Sequence, residues 1–143
     1  MARTFPLAGL LGLRRLEENQ AATALSAANN RTGAIHARRG AALRDLDGSP
    51  ASVADADALR MAAFARASSR SMLSDLSALS ALSEADTAQA REDFQTARAR
   101  TIGLEKLEEK HTAAAAAEDL RTEQIVLDEI ASTSWQRQKE RIN

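Results

Sequence analysis

Cysteine and histidine, the residues that most often hold metal ions together with carboxylates, are scarce in this chain of 143 residues. There is no cysteine, and the two histidines, His36 and His111, belong to no closely spaced ligand set such as His-x-x-x-His. We therefore expect no metal site and no thiol chemistry. The lack of cysteine also fits a reducing cytoplasm.

The sequence also lacks the patterns typical of phosphate binding and of nucleophilic catalysis. Gly9 and Gly12 are not accompanied by the lysine and the preceding strand that a phosphate-binding loop requires. Serines and acidic residues are numerous, but a catalytic triad needs a concave site, which a thin helical coiled coil does not offer. We predict no enzyme activity, no cofactor and no small-molecule substrate.

The composition favours a thin helical interface over a globular core. Apolar residues make up 44% of the chain, but 32 of them are alanines and aromatic residues are only 3%. Alanine buries little area and lets helix axes approach closely. The formal net charge of −1, with 27% charged residues, gives a mixed surface without the basic face expected of a nucleic-acid-binding protein.

The element that organises the chain is a predicted helix that contains the stretch from Leu104 to Trp135. It has no proline or glycine and is dense in good helix formers. A 4-3 spacing, typical of a coiled-coil seam, selects Ala113, Ala117, Leu120, Gln124, Leu127, Ala131 and Ser134. Farther upstream it selects Ala90, Phe94, Ala97, Thr101, Leu104, Leu107, His111 and Ala114. Joining the two phases needs extra three-residue steps, which would locally overwind a coiled coil.

The start of the chain carries a matching stripe. The same spacing selects Leu7, Leu11, Arg14, Glu18, Ala21, Leu25, Ala28, Thr32, Ile35, Arg39, Ala42 and Leu46. Two long helices with matching stripes, separated by a segment that can reverse the chain, predict an antiparallel intramolecular coiled coil. We expect one all-α domain over residues 1–143, a long two-helix coiled coil with a short, kinked helical middle segment.

Three helices are predicted, over residues of about 6–46, 50–80 and 84–139. In the break at Asp47-Gly48-Ser49-Pro50, glycine is expected to supply a left-handed cap, Ser49 to cap the next helix and Pro50 to begin it. Serines between Ser68 and Ser83 predict a kink or a second break, with a new helix starting at Ser83.

No apolar run reaches the length of about 18 residues that a membrane span needs. The apolar patch from Pro6 to Leu13 superficially resembles a signal peptide, but it runs directly into charged residues. We interpret it as a helix start, with Pro6 in the first turn.

Two segments resemble the flagellar FliJ family, a soluble component of the flagellar type III export apparatus. The matching residues are Leu10, Leu13, Arg14, Arg15, Glu17 and Glu18 near the start, and Leu104, Leu107, Glu108, Asp128, Glu129, Ile130 and Ala131 near the end. The resemblance implies an antiparallel coiled coil similar to the central shaft of rotary ATPases. It also implies three partners: the hexameric export ATPase, the cytoplasmic domain of the export gate, and export chaperones. On this interpretation the chain is a cytoplasmic monomer, peripheral at the inner face of the cell membrane.

Under this resemblance, the candidate partner-binding residues near the chain ends are Arg14, Arg15, Glu17, Glu18, Asp128, Glu129 and Arg137. In the middle, Met61, Phe64, Leu73 and Leu76 are candidates for docking the export gate. The alternative is that the charges form solvated faces or intrahelical pairs and that the apolar residues pack a short helix on the coiled coil. Trp135 is either a partner anchor or a cover for the end of the hairpin, and we favour the second.

Two other functions fit the same pattern. The chain could be a self-associating structural coiled coil, with its seams satisfied between copies, or a substrate-binding chaperone that works without an ATPase. Light scattering distinguishes the first, and binding to export substrates alone distinguishes the second.

Overall fold

The computed structural model describes residues 4–49 and 54–142, which form two α-helices and no strand. Helix α1 is Ala8–Asp47 and helix α2 is Ala56–Ile142. The two helices pack against each other, which confirms the all-α, two-helix fold class. Neither helix holds a stretch long and apolar enough to cross a membrane within the residues described.

The contacts of the chain group into two units. The terminal unit comprises the described residues up to Arg15 and from Ala99 onward, and the central unit is Leu16–Arg98. Each unit contains one part of α1 and one part of α2. The prediction that residues 1–143 form a single domain remains a prediction.

Helix α1 begins and ends within two residues of its predicted bounds. The Ala8 amide donates to the Phe5 carbonyl (3.1 Å), and Pro6 lies in the turn before the helix, where its missing N–H costs nothing. At the other end, the Gly48 amide donates to the Arg44 carbonyl (2.9 Å). Gly48 does not have a positive φ, so the predicted left-handed cap is wrong: the last turn closes in the right-handed conformation.

The start of α2 differs from the prediction. Asp55 caps the helix, because its Oδ1 accepts a hydrogen bond from the Ala58 amide at 2.7 Å. Ser49 does not cap α2, since its Oγ donates back to the Asp45 carbonyl of α1 (3.2 Å). The prediction for Pro50 lies outside the described residues.

The predicted break between Ser68 and Ser83 is wrong, because α2 is continuous from Ala56 to Ile142. The middle segment is thus not a separate helix, and no helix starts at Ser83. Tertiary contacts override the low helix propensity of serine: Ser80 and Ser83 are buried against α1, and Ser80 Oγ donates to Glu84 Oε1 (3.3 Å).

In the central unit the seam follows the 4-3 spacing, with one exposed position on α1. On α1, buried and half-buried positions include Glu18, Ala21, Leu25, Ala28, Thr32, Ile35, Ala42 and Leu46, as predicted. On α2 they are Ser69, Leu73, Leu76, Ser80, Ser83, Thr87, Ala90, Phe94 and Ala97. Arg39 is the exception, since its side chain is exposed and its guanidinium stays in water.

In the terminal unit the same spacing continues on α2 through Thr101, Leu104, Glu108, His111 and Ala115. Leu11 on α1 and Thr101 on α2 are 2% and 3% exposed. The predictions for Leu107 and Ala114 are wrong, because both are exposed while their neighbours Glu108 and Ala115 are half-buried. The regular spacing needs none of the predicted three-residue steps, so no overwinding is required here.

The seam ends at Ala115. Every described side chain from residue 116 to residue 141 is exposed, and we name residues 116–142 the C-terminal segment. The predicted seam from Ala113 to Ser134 is therefore wrong as a contact with α1. Its apolar spacing is present, but it is out of phase with the seam.

Candidate functional site

A layer of hydroxyl groups lies in the seam of the central unit, and we name Thr32, Ser83 and Thr87 the polar layer. Thr32 Oγ1 is 2.6 Å from Ser83 Oγ and 2.9 Å from Thr87 Oγ1, and Thr87 Oγ1 donates to the Ser83 carbonyl at 2.9 Å. If Ser83 donates to Thr32 and Thr32 donates to Thr87, each hydroxyl donates one bond. Because only one register brings the three groups together, the layer fixes the alignment of the helices.

Ion pairs lie at the edges of the seam. In the central unit, Arg98 Nη1 is 2.7 Å from Glu18 Oε1, and the Glu18 side chain is only 15% exposed. Beside these, His36 Nε2 and Glu84 Oε1 of the same unit lie within hydrogen-bond distance, 2.9 Å apart. These contacts join α1 to α2, so some of the charged side chains on both helices are engaged in contacts within the chain.

The N-terminal candidates are partly committed to contacts with α2. Arg15 Nη2 lies 3.3 Å from Glu105 Oε1, and the backbone carbonyl of Arg14 accepts a hydrogen bond from Thr101 Oγ1 at 3.2 Å. Glu18 is the half-buried partner of Arg98. The structure therefore gives these residues a role in holding the coiled coil together, and their contact with a partner protein remains a prediction.

The four middle candidates do not share one surface. Met61 and Phe64 are exposed, Phe64 by 78%, whereas Leu73 and Leu76 are half-buried seam residues. Exposed apolar residues do lie on one side of this part of α2, three, eight, seven and three residues apart, and we name them the middle stripe: Met61, Phe64, Met72, Leu79 and Leu82. The last three were missed in the sequence, although their spacing from Met61 was the signal that could have found them.

A shallow groove lies beside the middle stripe between the two helices of the central unit. Its lining residues are Arg38, Ala41, Ala42, Asp45, Met72 and Leu76. On the α1 side its lining consists of two alanines, a cation and an anion. This arrangement suits an amphipathic helix with both charge signs at its edge.

The C-terminal candidates lie on the C-terminal segment. Asp128, Glu129, Trp135 and Arg137 are all exposed. Trp135 does not cover the end of the hairpin: it is 64% exposed, and Nζ of Lys139 lies 5.2 Å from the centroid of its ring. An apolar face runs along this segment, and we name it the C-terminal stripe: Leu120, Gln124, Leu127, Ile130, Ala131 and Trp135.

The two groups of charged candidates do not form one site. Arg14 lies beside Thr101 and the Phe5 ring lies 5.6 Å from the His111 ring, so α1 begins near this part of α2. Asp128 is 27 residues beyond Thr101, about 40 Å farther along α2 at the α-helical rise. Antiparallel folding therefore does not bring these two groups of candidates together.

Neither histidine has the surroundings of a metal ligand. His36 contacts Glu84, and His111 contacts Phe5. Across residues 4–49 and 54–142, no three side chains of histidine or acidic residues are placed to hold a metal ion.

Comparison with known protein families finds a match over nearly the full chain. The model of the family described as "Flagellar FliJ protein" matches residues 3–140, nearly the whole chain. Comparisons with curated proteins and with solved structures found no match.

Proposed function

Because this chain belongs to the flagellar FliJ protein family, whose members are components of the flagellar export apparatus, we propose that it binds the hexameric export ATPase as a shaft-like coiled coil. The observation that supports this proposal is the C-terminal segment, a single α-helix with every described side chain exposed. A lone helix is about 10–12 Å wide, which is narrow enough to enter the pore of a ring.

The charged residues of the C-terminal segment are the contacts we propose for the ATPase. Asp128, Glu129 and Arg137 have no ion-pair role between the helices of the kind that Arg15 and Glu18 have. Charges on an exposed helix steer association and set specificity more than they raise affinity. The ring should therefore bind more slowly when these charges are reversed.

A second contact is proposed for the middle stripe, which would dock the cytoplasmic domain of the export gate. Met61 and Phe64 lie at its start, and their exposure in the central unit supports this role. Through these two contacts the chain would link the ATPase to the gate. We further propose that it escorts export chaperones and works in the cytoplasm, peripheral to the inner face of the cell membrane.

The hydrolysis rate of the cognate export ATPase tests the first contact. We expect the full chain to raise the rate, and the double charge reversal Asp128→Lys with Glu129→Lys to reduce that stimulation several-fold at sub-saturating concentration. The control is Asp57→Lys, since Asp57 is an exposed acidic residue at the start of α2. This variant should leave the stimulation unchanged. No stimulation and no co-migration at saturating concentration would contradict the proposal.

Binding to the purified gate domain tests the second contact. Phe64→Ala should weaken that binding, because Phe64 lies on the middle stripe. The matched control is Leu59→Ala, since Leu59 is a large exposed apolar residue on nearly the opposite face of the same turns. Equal losses for the two variants would show that the middle stripe is not the docking surface.

A further inference from the structure

The C-terminal stripe faces away from the side of α2 that α1 covers. Continuing the 4-3 seam beyond Ala115 selects Glu118, Thr122, Ile125 and Glu129, which are mostly polar. Leu120 and Leu127 stand two residues beyond Glu118 and Ile125, which places them about 200° around the helix from the seam. Even a longer α1 would therefore not cover this stripe, and no described residue of the chain lies on it.

The stripe is also too apolar to be an ordinary helix face. Leu120, Leu127, Ile130 and Trp135 are each 60–66% exposed and lie within 16 residues of one another. A row of large apolar side chains over more than two heptads is the signature of a helix that pairs with another helix. The expectation of a monomer assumed that α1 covers this row, but in the structure these side chains are exposed.

The charges of the segment are ordered along its length. Its first half carries Glu118, Asp119, Glu123, Asp128 and Glu129 against one cation, Arg121. Its end carries Arg137, Lys139 and Arg141 against one anion, Glu140. Two such segments that pair antiparallel place each basic end beside the acidic half of the other, whereas a parallel pair places like charges side by side.

The positions of single residues agree with this arrangement. Asp119 and Arg137 are 18 residues apart, or five full turns, so both lie on the same edge of the stripe. In an antiparallel pair centred near Leu127, Asp119 of one copy faces Arg137 of the other, twice by symmetry. With the centre between Leu127 and Asp128, Leu120 is level with Trp135, whereas Asp119 with Arg137 and Leu127 with its own counterpart are each within one residue of being level.

We propose that a second copy of this chain docks antiparallel on the C-terminal stripe, forming a reversible homodimer through residues 117–138. This dimer does not depend on the proposed function, because its contacts are made without an ATPase or a gate. It covers the stripe, so a partner that uses the same helix must compete with the second copy.

Sedimentation of the full chain alone, over a range of protein concentrations, tests the proposal. We expect a monomer–dimer equilibrium, with the emission of Trp135, the only tryptophan, shifting to shorter wavelength as dimer forms. Leu127→Glu should raise the dimer dissociation constant by about 100-fold or more, because it places two carboxylates at the centre of an apolar contact. A wild-type chain that stays monomeric at every concentration would overturn the proposal.

Ile125→Glu is the matched control for that variant. Ile125 is an equally exposed isoleucine in the same segment, but it lies on the extrapolated seam face and outside the stripe. It should change the dissociation constant less than about threefold. If both variants abolish the dimer, the stripe is not the interface.

Charge reversal tests the direction of pairing. Asp119→Arg and Arg137→Asp should each weaken the homodimer by about two- to tenfold at low salt, and mixing the two variants should restore wild-type affinity, since each end then regains an opposite pair. Single variants that self-associate like the wild type would rule out the antiparallel arrangement. None of these measurements uses the ATPase. Their outcome is therefore independent of whether the proposed function is correct.

Because the chain has no cysteine, disulfide trapping gives an independent measure of the same alignment. Copies carrying Gln124→Cys should cross-link to copies carrying Ala131→Cys. Two copies that both carry Gln124→Cys should not cross-link. Preferential cross-linking of Gln124→Cys copies to themselves would show a parallel pair and overturn the proposal.

Discussion

The polar layer makes a quantitative prediction about stability. Thr32→Val keeps the shape and the β-branching of the side chain and removes its oxygen, which lies 2.6 Å from Ser83 Oγ and 2.9 Å from Thr87 Oγ1. Ser83 and Thr87 are buried, so the Ser83 hydroxyl loses its partner in a place that water does not reach, whereas Thr87 keeps its bond to the Ser83 carbonyl. At about 1 kcal/mol for each lost bond plus desolvation of the group left unpaired, we expect a loss of about 1–3 kcal/mol in the free energy of unfolding.

The same reasoning predicts recovery when all three oxygens are removed. The triple variant Thr32→Val, Ser83→Ala and Thr87→Val leaves no hydroxyl unpaired, so it should unfold at a higher urea concentration than Thr32→Val alone. The measurement is urea unfolding followed by circular dichroism at 222 nm. In the triple variant the register is less strictly specified, because an apolar layer accepts more than one alignment.

Thr23→Val is the control for this series. Thr23 lies on an exposed face of α1 and donates only to the Asn19 carbonyl of its own helix at 3.0 Å. The substitution changes helix propensity in the same way as Thr32→Val but removes no contact between helices, so its effect should stay within about 0.5 kcal/mol. If Thr32→Val costs no more than Thr23→Val, or if the triple variant is less stable than Thr32→Val, the layer does not work as described.

Three further predictions concern single features of the helices. Gly33→Ala should increase the free energy of unfolding by about 0.5–1 kcal/mol and so raise the melting temperature. Nothing lies within 4 Å of the added Cβ, and alanine loses less conformational entropy than glycine when the helix forms. Asp55→Ala should cost about 1 kcal/mol of local stability at the start of α2, seen as faster hydrogen exchange there, since it removes the 2.7 Å cap. A double-mutant cycle on Glu18 and Arg98, each changed to alanine, should give a coupling of about 0.5–1 kcal/mol that persists at moderate salt, because the Glu18 side chain is largely buried.

Each of these three has its own refutation. An unchanged melting temperature would mean that α1 tolerates glycine at no cost at position 33. Uniform exchange across α2 would mean that Asp55 acts through contacts other than its cap. A coupling that vanishes at moderate salt would show that the pair behaves as an ordinary surface ion pair.

The seam face of α1 could be predicted because apolar residues recur along it in a regular 4-3 spacing. Leu11, Ala28 and Ala42 are buried at positions selected by that spacing alone. Ser80 and Ser83 could not be predicted in the same way, since a hydroxyl counts as polar until its partner across the seam is known. For Ser83 that partner is Thr32, which lies 51 residues away in the sequence.

Spacing also identifies an apolar face without saying which neighbour covers it. Leu120 and Leu127 are correctly identified as members of one stripe, but only the structure shows that the stripe is two residues out of phase with the seam. The alanines from Ala113 to Ala117 hid that shift, because five equal residues define no face. The same limit applies to the candidate site: Leu73 and Met72 are neighbours in sequence, yet one is in the seam and the other is on the exposed middle stripe.

The C-terminal segment has a consequence for how the chain responds to heat. A helix whose described side chains are all exposed is held mainly by bonds within itself, and such helices unwind gradually rather than cooperatively. In the monomer, the helix content of residues 116–142 should therefore decline smoothly on warming while the paired seam stays intact. Any protein that captures this segment as a helix must supply the ordering entropy, so its affinity should fall steeply with temperature.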